Sequence, residues 1–116
     1  MIKHEWYGDF HPTQVFKRKA IDVASSGDNT IVAAVTGKII RVYQVIVVSS
    51  GTVTVRWESG AGGTALTGQM TLAANTGFSS GWCPMGHFET AASTLLNLEL
   101  SGAVSVDGWL IYAEIS

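Results

Sequence analysis

The sequence predicts an all-β fold: an antiparallel two-sheet β-sandwich, a jelly roll of about eight strands, carrying an extended N-terminal arm. Three observations predict it. Apolar residues recur with a period of two in several short runs, the pattern of strands with one buried and one wet face. Gly, Ser, Asn and Asp gather between those runs, where they supply positive φ and local backbone caps. No stretch keeps the 3.6-residue period of an amphipathic helix.

Taken in order, residues 1–14 form the arm and residues 15–116 the β domain. The arm sequence His4-Glu5-Trp6-Tyr7-Gly8-Asp9-Phe10-His11-Pro12 mixes aromatic and charged types without a clean period. Aromatic side chains gain much from burial, so Trp6, Tyr7 and Phe10 are expected to dock the arm, on its own domain or on a neighbouring subunit. Residues 15–23 read as the first strand, with a break of phase near Ala20 that predicts a bulge. Ser25-Ser26-Gly27-Asp28-Asn29 reads as a turn and residues 31–35 as the second strand. Thr36-Gly37-Lys38 leads into a long strand over residues 39–48, and Ser49-Ser50-Gly51-Thr52 into residues 53–58. There Val53, Val55 and Trp57 oppose Thr54, Arg56 and Glu58. The pattern weakens over residues 59–94: Gly60-Ala61-Gly62-Gly63 is a loop, Leu66 and residues 70–72 are short strands, and residues 73–77 and 79–81 are turns. Leu96, Leu98 and Leu100 then alternate with Asn97 and Glu99. In the last strand Trp109, Ile111, Ala113 and Ile115 oppose Tyr112 and Glu114, after the tight-turn dipeptide Asp107-Gly108. By phase, Trp57 and Trp109 are core residues.

One segment breaks the sandwich rule. Tyr43, Val45 and Val47 share one face of the long strand and Val42, Ile46 and Val48 the other, so both faces are apolar. An antiparallel strand of that kind needs cover on both sides. The arm, a loop or a second subunit can provide it. Charged residues are only 14% of the chain, against a usual share of about 25%, which favours a second subunit. The mean hydropathy of +0.26 points the same way. Tyr43, Val45 and Val47 are therefore expected at a subunit interface.

Several function classes fall away. A net charge of −2 gives no field for gathering nucleic acid. Lys17-Arg18-Lys19 reads as a charged strand edge that blocks unwanted pairing. No apolar run approaches the ~20 residues that span a bilayer, and the N-terminus lacks a signal-peptide core. The single cysteine, Cys83, cannot form an intrachain disulfide, in keeping with synthesis in a reducing cytoplasm. His4 and His11, with Glu5 and Asp9, fit no metal-site spacing. Cys83 and His87 lie close in Trp82-Cys83-Pro84-Met85-Gly86-His87 but lack a third orienting group. Paired carboxylates for glycoside hydrolysis can come from distant strands, but most of Asp22, Asp28, Glu58, Glu89, Glu99, Asp107 and Glu114 sit at turns or on polar strand phases, where solvation is the plain reading. The glycine loop lacks the lysine of a phosphate cradle. No catalytic residue, metal ligand or cofactor is assigned, and an enzyme is not expected. Trp82, in a loop, is the aromatic side chain best placed for an exposed ligand contact such as sugar stacking.

Three stretches carry a family resemblance. Thr30-Ile31-Val32-Ala33-Ala34-Val35-Thr36-Gly37-Lys38 runs into apolar strands and Ser-Gly turns. Gly86-His87-Phe88-Glu89-Thr90 precedes Leu95-Leu96-Asn97-Leu98-Glu99-Leu100-Ser101. Val106-Asp107-Gly108-Trp109-Leu110-Ile111-Tyr112 closes the chain. Together they resemble small jelly-roll virion proteins of tailed bacteriophages, over residues 20–115 and without the arm. The resemblance implies a non-enzymatic structural protein of capsid decoration, cement, head-fibre or tail-fibre type. It implies a homotrimer, made in the bacterial host cytoplasm, that docks on major capsid or tail proteins of the virion. The arm would then be an attachment segment. The alternative it implies is a carbohydrate- or host-receptor-binding module of a tail fibre or baseplate, with Trp82 contacting a surface glycan. It carries no active-site residues.

Overall fold

A computed structural model describes residues 14–116. The arm residues Trp6, Tyr7 and Phe10, with His4 and His11, lie outside the described residues. Ten strands follow in chain order: β1 (Lys17–Val23), β2 (Gly27–Val32), β3 (Ile39–Ser49), β4 (Val53–Ser59), β5 (Thr64–Ala65), β6 (Met70–Leu72), β7 (Gly77–Ser79), β8 (Phe88–Glu89), β9 (Leu96–Leu100) and β10 (Val106–Ile115). All pairings are antiparallel. The first sheet runs β1-β10-β3-β7, with β8 also on β3; the second runs β2-β9-β4-β5, with β6 also on β4. Counting β5 with β6, and β7 with β8, as two interrupted edge strands leaves eight strand positions. Their order, four to a sheet, is that of a jelly roll.

The core lies between the sheets. β4 contributes Val53, Val55 and Trp57, and β9 contributes Leu96, Leu98 and Leu100, all at most 2% exposed. Their alternation is the one read from sequence. The Trp57 ring lies 5.7 Å from that of Phe88, and its Nε1 has no hydrogen-bond partner among the described residues.

The long strand departs from simple alternation. Opposite β10, Ile111 pairs with Gln44 but Tyr112 pairs with Val42, so Tyr43 is an extra residue on β3. A bulge of this kind shifts the phase of everything beyond it. Ile40 and Val42 point inward before it; Val45, Val47 and Ser49 point inward after it. Tyr43 therefore does not share a face with Val45 and Val47. The bulge expected near Ala20 is absent, because β1 pairs with β10 from Lys17 to Val23 without a shift.

Two turn assignments also change. Gly27-Asp28-Asn29 opens β2, where the Asn29 side chain donates to the carbonyls of Ser25 and Gly27 and so closes the preceding corner. Asp107-Gly108 lies inside β10, and the glycine serves a close approach. A Cβ at Gly108 would stand 1.9 Å from the Ile46 carbonyl oxygen, and one at Gly77 would stand 1.8 Å from that of Val47. β3 is thus pressed from both neighbours at adjacent peptide groups. Gly108→Ala should lower the unfolding free energy by about 2 kcal/mol or more. Gly102→Ala, whose new Cβ meets nothing within 4 Å, should stay within about 0.5 kcal/mol in the same urea titration. Equal stabilities for the two variants would refute the contact.

Candidate functional site

With Val45, Val47, Leu110, Tyr112 and Val106 in the core, the opposite phase of β3 and β10 forms the outer face of the first sheet. Register sets Val48 beside Asp107, Ile46 beside Trp109 and Gln44 beside Ile111. Val48 is 48% exposed, and Ile46, Trp109 and Ile111 are half-buried. Ile46 and Val48 also line a shallow hollow of about 250 Å³ with Gly77, Phe78 and Ser79. Trp109 is thus an outer-face residue, and its ring lies under the Arg18 guanidinium at 5.3 Å. Its phase was legible, but both phases of β10 are apolar, so only the pairing with β3 decides which one faces in.

The interface assignment of Tyr43, Val45 and Val47 changes for the same reason. Val45 and Val47 are covered by the chain's own core. Tyr43, 1% exposed, is covered by its own chain in a different place. Its ring stacks on Trp82 at 5.3 Å and meets Phe16 edge-on at 5.0 Å, while its hydroxyl accepts a 2.6 Å hydrogen bond from Gln14. Phe16 and Trp82 also meet, at 5.2 Å. Offset and edge-on aromatic pairs at these separations each add roughly 0.5–1.5 kcal/mol beyond burial.

Trp82 is 44% exposed, in keeping with the loop position read from sequence. The loop is tied down by backbone bonds: Ser80 N–H to Val45, Cys83 N–H to Tyr43 and His87 N–H to Val42. Val15, 67% exposed, adjoins Phe16, and Met85, 69% exposed, follows Trp82 in the loop. Cys83 and His87 do not pair: the thiol contacts the Gly86 carbonyl at 3.6 Å and the imidazole Nε2 lies 2.7 Å from the Gly81 carbonyl.

The outer face of the second sheet is polar. Glu58, fully buried, accepts two bonds from Arg56, at 3.0 and 2.6 Å, and one from Asn97 at 2.8 Å. Asn97 also donates to Asp28, and Arg56 pairs with Glu99 at 3.2 Å. Carboxylate oxygens of Asp28, Glu58 and Glu99 gather within 4.8 Å of one another. The guanidinium and the amide hold this cluster together, since a buried carboxylate needs all its hydrogen bonds. An open depression of about 320 Å³ beside it is lined by Thr54, Arg56, Gln69, Glu99 and Ser101. Sequence spacing did not reveal the cluster, because its members come from three strands that pair across the sheet.

Asp22 and Asp107 stand directly opposite each other on β1 and β10. Lost hydration pushes the Asp107 carboxyl above its ordinary range, and the hydrogen bond and charge of Asp22 push it the same way. No protein-family model, curated protein or solved structure matches the chain.

A raised carboxyl favours the protonated form in the folded state. Its contribution to stability is full below the unfolded value near pH 3.9 and is lost as pH rises through the folded one. Asp107→Asn should therefore stabilise the protein at pH 7, by a few tenths of a kcal/mol and at most about 1 for an exposed cross-strand pair. The gain should vanish below about pH 4. A gain independent of pH in thermal melts would contradict this.

Proposed function

We propose that the protein is a non-enzymatic structural component that associates with copies of itself and docks on a larger assembly. The resemblance to phage virion proteins names the kind of assembly: a particle on which a small jelly roll serves as decoration, cement or fibre. One observation carries the reading. The outer face of the first sheet presents Val48, Ile46, Trp109 and Ile111 as one apolar strip, where an antiparallel sandwich ordinarily places polar side chains. Contiguous apolar surface of this kind marks interaction sites.

The strip belongs to β3 and β10, 11 and 10 residues long. Two strands about 4.8 Å apart and about 33 Å long present on the order of 300 Å² per copy, so a stable interface also takes in the flanking strands. The exposed corner of Val15, Trp82 and Met85 extends the surface available to a further partner. A trimer, the order implied by the resemblance, and a dimer both satisfy this reading.

Sedimentation velocity tests it. The wild-type chain should form a discrete oligomer at micromolar concentration. Val48→Asp, at an exposed position, should keep the β-sheet circular dichroism and weaken association by at least about tenfold. A wild-type monomer throughout the concentration range would contradict the proposal.

A further inference from the structure

The outer face of the first sheet carries one self-contained ion pair, Arg41–Glu89, and otherwise distributes its charges unevenly. Asp22 and Asp107 sit opposite each other at one end, beside Val48. Arg18 sits at the other end, opposite Ile111, with its guanidinium over the Trp109 ring. Ala20, Trp109 and Ile46 form the row between. Arg18 and Asp22 are four residue steps apart, about 13 Å along β1.

The acid pair is an anomaly among the described residues. Like charges directly opposite on paired strands destabilise a sheet. Among the described residues the ion pairs are Lys17–Glu114, Arg41–Glu89, and Arg56 with Glu58 and Glu99, and none of them involves Asp22 or Asp107. The lifted carboxyl of Asp107 reflects the same conflict. Local rules broken without internal compensation tend to mark function. A cation supplied from outside would relieve the conflict, and the face itself displays one at the correct end.

We propose that this face docks on the same face of a second copy in antiparallel orientation, with Arg18 of each chain set against the Asp22–Asp107 pair of the other. The inference rests on the self-association reading above and names its contact. In a two-fold arrangement the same patch serves on both copies, so both ion-pair sets form at once. The apolar row between them is enclosed, and the lower dielectric there strengthens the Coulomb attraction of each pair against the cost of its desolvation. Charge complementarity fixes the orientation, because the parallel alternative places acid on acid. Such a contact generates dimers or even-numbered assemblies.

Charge reversal with complementation tests the proposal. Arg18→Asp alone, and Asp22→Lys with Asp107→Lys together, should each weaken self-association by at least about tenfold, since each sets like charges face to face. Mixed in equal amounts, the two variants should restore association as a heterodimer, because every contact again joins opposite charges. Circular dichroism confirms that each remains folded. A wild-type monomer would remove the self-association reading itself. A wild-type oligomer unaffected by either variant would keep that reading and overturn this face as its contact. Weakened variants that fail to recover on mixing would overturn the antiparallel arrangement. Dissociation of the wild-type oligomer by a chelator would place a metal ion, and not Arg18, on the acid pair.

Discussion

One inserted residue decides what this molecule shows to its surroundings. β3 is the middle strand of the first sheet, with β10 on one side and β7 and β8 on the other. At Tyr43 it carries one residue more than β10 has to match. Everything beyond that point is turned over. Val45 and Val47 enter the core, and Ile46 and Val48 are left outside. Without the bulge Ile46 and Val48 would face the core, and Val45 and Val47 would stand outside in their place. The close approaches at Gly108 and Gly77 hold β3 in this register, because neither neighbour can slide to where a side chain would meet a β3 carbonyl.

The two outer faces consequently differ in kind. On the second sheet, Arg56, Glu58, Asn97, Asp28 and Glu99 satisfy one another in a network and leave a polar surface. On the first, apolar side chains lie between the Asp22–Asp107 pair and Arg18, with the Arg41–Glu89 ion pair on the far side of the bulge. That asymmetry is what supports the proposed role of the first sheet's outer face in self-association. The aromatic cluster of Phe16, Tyr43 and Trp82 closes one corner of the first sheet from within the chain.

Much of this was legible from the residues. The sandwich, most strand positions and the inward set of β4 and β9 follow from alternation, because those strands have one apolar phase and one polar. The excess of apolar residues over 43–48 was visible for the same reason. Which of them is surplus was not. A bulge depends on the partner strand, and neither Tyr43 nor its flanks announce one. β10 poses the same difficulty: Trp109 and Leu110 belong to opposite phases of similar hydrophobicity, so only pairing separates them. Asp107-Gly108 reads as a turn by composition, yet here the glycine answers a contact made by a residue more than sixty positions earlier. The Asp28–Glu58–Glu99 cluster likewise exists only across strands.

The most direct test of the account is methyl NMR with a soluble paramagnetic agent, in dilute and in concentrated protein. Val45 and Val47 methyls should be shielded at both concentrations. Ile46, Val48 and Ile111 methyls should broaden strongly when dilute and lose that broadening as the oligomer forms. Broadening of Ile46 and Val48 that is unchanged in a sample shown to be oligomeric would contradict the claim that this face is where copies meet.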